Sequence, residues 1–193
     1  QLFTTKDFYL TSAAFSADDS QILGIYEGII AVNAQTGAEK KLFKFDFDWL
    51  NSKIEVIDPS NILVHNQTGW QRWNIKQQQL TSEVKLPNPV FRHTYLAEYG
   101  YMAVNSNTNE LEVRKIDGGD IVKKLPIGKA DYTLIPSQDS KEFLLSPGSY
   151  GDDPISLYNA NLSLVKEIKV AVSSAEGYFN GSTGRLFASR GKD

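Results

Sequence analysis

One short phrase recurs along this chain at multiples of about forty residues. Phe15-Ser16-Ala17-Asp18-Asp19-Ser20-Gln21-Ile22-Leu23 is echoed by Ile135-Pro136-Ser137-Gln138-Asp139-Ser140-Lys141-Glu142-Phe143-Leu144, and again by Phe179-Asn180-Gly181-Ser182-Thr183-Gly184-Arg185-Leu186-Phe187. A second phrase follows it. Ile30-Ala31-Val32-Asn33-Ala34-Gln35-Thr36-Gly37 leads into Lys40-Lys41-Leu42-Phe43, with counterparts centred on Asn74, Lys115 and Asn159. Aligning Asn33, Asn74, Lys115 and Asn159 gives spacings of 41, 41 and 44 residues. A fixed period of that length, made of short strands and tight turns, is the pattern of a β-propeller blade.

Each unit alternates apolar and polar residues over five to eight positions and then breaks at Gly, Asn, Asp or Pro, which is strand-and-turn chemistry and not the period of a helix. Thr36-Gly37 and Gly118-Gly119 tolerate positive φ at a hairpin, while Asp58-Pro59-Ser60-Asn61 and Pro136-Ser137-Gln138-Asp139 bring turn formers that bond to their own backbone. The expectation is an all-β propeller-type domain over 1–193, its blades four-stranded and antiparallel. The strands of each blade are labelled a to d. Complete blades fall at about 13–45, 53–86, 93–126 and 131–169, with a partial fifth at 175–189. Residues 1–10 read as the outer strand of a closing or preceding blade. Because a ring hides its strand edges, an incomplete count suggests an excerpt of a longer propeller; the alternative is a five-bladed ring with a shared last blade.

The two phrases resemble the a-b and c-d hairpins of bacterial WD-repeat-like and YVTN-type propeller blades, over residues 11–189. The Gly-His pair and Trp-Asp dipeptide of true WD repeats are absent. The resemblance implies an architecture that hosts scaffolds, binders and enzymes alike.

Composition narrows the function classes. With 193 residues, 41% hydrophobic and 22% charged, the chain is long enough to bury a core. A formal charge of -3 gives no net attraction for a phosphate backbone, and Lys40-Lys41 and Lys123-Lys124 read as solvated strand ends, so no nucleic-acid partner is expected. No stretch approaches the roughly 18 apolar residues of a membrane span. The absence of cysteine excludes disulfides and thiol chemistry, and suits a reducing cytoplasm or an exported bacterial protein equally. Sequons at Asn66, Asn161 and Asn180 read as chance in a chain rich in Asn, Ser and Thr.

No catalytic residue, metal ligand or cofactor site is expected. His65 and His93 have no second ligand at metal spacing, and Gly128-Lys129-Ala130 lacks the rest of a phosphate loop. Asp18-Asp19, Asp46/Asp48 and Asp152-Asp153 match no calcium loop, and Asp18-Asp19 reads as a turn. In an antiparallel sheet the d-a and b-c connections emerge together, at the end opposite the a-b and c-d turns. That face collects Trp49, Trp70, Phe91, Arg92, Tyr150, Asp152 and Asp153 as candidate binding residues, since aromatic and Arg side chains on rigid loops anchor interfaces. Inward packing of Trp49, Trp70 and Phe91 between blades is the competing expectation. The reading is a non-catalytic interaction module for a protein or glycan partner, with self-association or a second chain along unpaired blade edges. The alternatives are a sugar- or small-molecule-active enzyme using channel carboxylates, or an accessory part of a larger enzyme.

Overall fold

The computed structural model describes residues 10–44, 51–90, 92–96, 100–105, 107–128, 132–137, 141–147, 154–159 and 161–169, and the backbone of 176–180 and 185–189. They are all-β. The first sheet is β1 (Ala13–Phe15), β2 (Gln21–Ile25), β3 (Ile29–Asn33) and β4 (Glu39–Phe43), hydrogen-bonded in that order. The second is β5 (Lys53–Asp58), β6 (Asn61–Asn66), β7 (Gly69–Asn74) and β8 (Gln79–Lys85). The third is β9 (Arg92–Leu96), β10 (Gly100–Asn105), β11 (Glu110–Arg114) and β12 (Ile121–Pro126), and the fourth is β13 (Tyr132–Pro136), β14 (Glu142–Pro147), β15 (Ile155–Asn159) and β16 (Leu164–Ile168). β17 (Glu176–Asn180) and β18 (Arg185–Ser189) pair as a fifth, two-stranded sheet. All pairings are antiparallel, as expected of four-stranded blades.

The chain divides into two compact units, Gln1–Asn88 and Pro89–Asp193. In unit 1 the opening strand β1 lies beside β5; in unit 2, β9 lies beside β13 and β13 beside β17. Neighbouring sheets thus meet along their first strands, as propeller blades do.

The repeated phrases have a physical cause in their turns. Ser16 Oγ accepts the amide of Gln21 at 2.9 Å, and Ser137 Oγ accepts that of Glu142 at 3.0 Å, closing the same hairpin in the first and fourth sheets. At the end of the third strand, Asn33 Oδ1 accepts the amides of Gln35 and Thr36, Asn74 Oδ1 that of Gln77, and Asn159 Oδ1 those of Asn161 and Ser163. Asn suits the site because its side-chain carbonyl stands in for a backbone acceptor at a turn. Lys115 cannot do this. There Gly118 and Gly119 turn with φ of 85° and 78°, and Arg114 Nη1 donates to Gly119 O at 2.9 Å.

In the second, third and fourth sheets the register between third and fourth strands slips at equivalent positions, Arg72/Trp73, Val113/Arg114 and Leu157/Tyr158. The extra residue on the outer strand increases local twist. Gly28, just before β3, and Gly69, the first residue of β7, have φ of 148° and 144°; a Cβ there would stand 2.3 Å from Phe43 O and 2.0 Å from Val84 O, so only glycine lets the outer strand approach.

Second and third strands carry the core. In unit 1, Leu23, Ile25, Ile29, Ala31, Ile54, Ile62, Val64 and Trp73 form one cluster, with Phe43 stacked on Trp73 at 4.3 Å. In unit 2, Leu96, Met102, Val104, Leu111, Val113 and Phe143 form a second, and Ile135, Leu144 and Ile155 a third.

Candidate functional site

Of the candidate binding residues, Trp49, Phe91, Tyr150, Asp152 and Asp153 lie outside the described residues. Arg92 is exposed at the start of β9. Trp70, in β7 opposite His65 and Val84, is 0% exposed, which corrects the expectation of a presented anchor.

The histidines behave as strand residues. His65 is fully buried, its Nε2 3.7 Å from Glu55 Oε1, and burial pushes its pKa down against the opposing pull of Glu55. His93 stacks on Tyr101 at 6.0 Å. Asn66 of the first sequon is buried and its Oδ1 accepts the Thr68 amide and hydroxyl, so it is closed to modification in the folded chain.

Among the described residues, a concavity lies at the other end of the sheets, within unit 1. A cleft of about 410 Å³ opens where the first and second sheets diverge at their a-b and c-d turns. The β1-β2 turn brings Ser16, Asp18 and Ser20; the β5-β6 turn brings Asp58; Lys40 comes from β4 and Lys76 from the β7-β8 turn. Leu42, Val56 and Ile75, all half-buried, form an apolar floor.

Both carboxylates are fixed by their own turns. Asp18 Oδ1 accepts from Ser16 Oγ at 2.7 Å, Ser20 Oγ at 2.8 Å and Ser20 N at 3.1 Å, and these bonds, Ser16 foremost, lower its pKa to about 2. Asp58 accepts the amides of Ser60 and Asn61 and the side-chain amide of Asn61. Desolvation pushes its pKa up, but those bonds and the charge of Arg72 outweigh it, and the net shift is downward. Lys40 and Lys76 are exposed and make no ion pair among the described residues.

Sequence reasoning read Asp18, Asp58 and Lys40 as turn or strand-end residues, and their local chemistry bears that out. The missed signal was position. Asp18 and Asp58 stand forty residues apart in adjoining repeats, and residues at one repeat position in successive sheets become neighbours in space.

Comparison with known proteins fixes the fold alone. No family model and no curated protein matches the chain. Among solved structures, hydrazine synthase of Kuenenia stuttgartiensis superposes with a TM-score of 0.63 at 14% identity, covering 88% of this chain and 52% of its own. A functionally unknown protein from Desulfotomaculum acetoxidans superposes with a TM-score of 0.66 at 13% identity, covering 97% of this chain and 67% of its own. The chain therefore spans about half the length of the hydrazine synthase chain it matches. The protein is of the repeated-sheet, propeller-type β class.

Proposed function

We propose that this chain is a non-catalytic interaction module and that it holds its partner in the cleft between the first two sheets. The observation that carries this reading is the cleft itself: its volume falls in the range of about 300–1,000 Å³ typical of ligand sites, and its rim is built of turns held by their own hydrogen bonds. A preformed rim lowers the ordering cost of binding. The enzymatic alternative needs a carboxyl whose pKa is raised so that it can donate a proton near neutrality. Asp18 and Asp58 are shifted the other way, which suits them to permanent charge.

The test is a titration of isotope-labelled protein with short peptides and oligosaccharides, followed by amide chemical shifts. Perturbations centred on residues 16–21, 58–61 and 75–78 are expected. Perturbations confined to residues outside the cleft, or none with any ligand, would overturn the assignment.

A further inference from the structure

The cleft is charged at both ends, with opposite signs. In each sheet the strands follow in the order first to fourth, so Asp18 and Asp58, on first-to-second-strand turns, lie at one side. Lys40 on the fourth strand and Lys76 on the third-to-fourth turn lie at the other. With strands about 4.8 Å apart, the two charge sets are separated by about 10 Å, with the apolar floor of Leu42, Val56 and Ile75 between them. All three turn bonds of Asp18 fall on Oδ1, leaving Oδ2 for an incoming donor.

Resting on the binding reading above, we propose that the cleft takes an extended peptide segment of the pattern basic-x-apolar-x-acidic, in either chain direction. In an extended chain, residues i and i+4 share a face at about 13 Å and residue i+2 points the same way between them, so the outer side chains reach the two charge sets while the middle one meets the floor. A polyanion would meet the lysines but be repelled by the aspartates, and a polycation the reverse. An uncharged glycan would leave both sets without partners.

The test uses the full chain and capped pentapeptides in a calorimetric or fluorescence-anisotropy titration. Lys-Ser-Leu-Ser-Glu and Glu-Ser-Leu-Ser-Lys are compared with Ser-Ser-Leu-Ser-Ser and Lys-Ser-Leu-Ser-Lys. One or both dipolar peptides should bind more tightly than either control, and their affinity should fall with added salt. In the double variant Lys40→Glu, Lys76→Glu, which alters exposed side chains and whose fold is checked by thermal melting, two exposed ion pairs are lost and preference should swing to the doubly basic peptide. The dipolar peptide should weaken about ten-fold. Equal binding of the uncharged control, or an unchanged preference in the double variant, overturns the proposal. Cleft amides that respond to an oligosaccharide but to no pentapeptide would sink this proposal and leave the binding module standing; cleft amides that respond to nothing would remove both.

Discussion

Units 1 and 2 are built on the same repeat and differ at two kinds of position. The first is a residue on the third strand, opposite the outer strand. In unit 1 it is Ile30 or Gln71; in unit 2 it is Glu112 or Ser156. Gln71 donates to Glu83 at 2.8 Å and accepts from Trp73 Nε1 at 3.1 Å. Glu112, 1% exposed, instead holds a charge: Arg114 donates to its Oε2 at 2.7 and 3.1 Å, Asn105 donates to Oε1 at 3.0 Å, and Lys124 stands 3.9 Å away. The second is the start of the outer strand, Glu39-Lys40 and Gln79-Leu80 in unit 1 against Ile121-Val122 and Leu164-Val165 in unit 2. All four of these positions in unit 2 are apolar and exposed, against Leu80 alone in unit 1, and Val122 and Val165 occupy the register slips. Turn caps and core strands are common to both units, whereas the third-strand position is buried in both, at Gln71 and at Glu112, and is satisfied differently in each.

The largest effects should come from what the units share. Trp70→Ala in unit 1 and Phe143→Ala in unit 2 each remove a fully buried ring, with an expected loss of about 3–5 kcal/mol in denaturant unfolding. Arg92→Ala, at an exposed position, should stay within about 0.5 kcal/mol. A Trp70→Ala protein as stable as the parent would return Trp70 to the surface and break the comparison.

The next effect separates the units. Glu112→Ala strands the largely buried Arg114 guanidinium and should cost about 3 kcal/mol, because an uncompensated buried charge is worse than no pair at all. Gln71→Ala, at the equivalent neutral site, loses two hydrogen bonds of about 1 kcal/mol each. Replacing both Glu112 and Arg114 with Leu and Met should recover most of the single-variant loss. A double-mutant cycle showing no coupling would mean that the ion pair is not what distinguishes unit 2.

What the sequence made legible was everything with a period. Asn33, Asn74 and Asn159 announced their turns because each caps one with the same side-chain oxygen; alternation in burial marks outer strands such as β8 and β12, while second and third strands such as β6 and β10 are buried on both faces. The cleft and the burial of Trp70 were not legible. Trp70 in a Gly-Trp-Gln run looks the same whether it crowns a loop or fills a sheet; what decides is the packing of β7 between β6 and β8, which is not local. Asp18 and Lys40 matter together only because two turns and an outer strand converge, and each on its own is an ordinary turn or strand residue. Glu112, in Leu-Glu-Val, kept the polar place in the alternation and gave no sign of its burial.

The smallest effect near neutral pH, and the one most confined to unit 1, is the titration of His65. Unfolded, its imidazole takes up a proton near pH 6.5; folded, burial holds its pKa lower, with Lys53 adding to the shift and Glu55 opposing it. Between those two values the unfolded chain carries more protons than the folded one, so stability should fall as pH drops below 6.5 and level off once the folded imidazole also titrates. Asp18 and Asp58 add their losses only below about 3.8, where carboxylates bonded in the fold begin to protonate in the unfolded chain first. All three tryptophans belong to unit 1, so the denaturation midpoint read by tryptophan fluorescence between pH 8 and 5 follows the unit concerned. His65→Gln should flatten that slope and leave the loss below pH 3.8 in place. A slope that persists in the variant would assign the acid sensitivity to another group and strip unit 1 of this distinction.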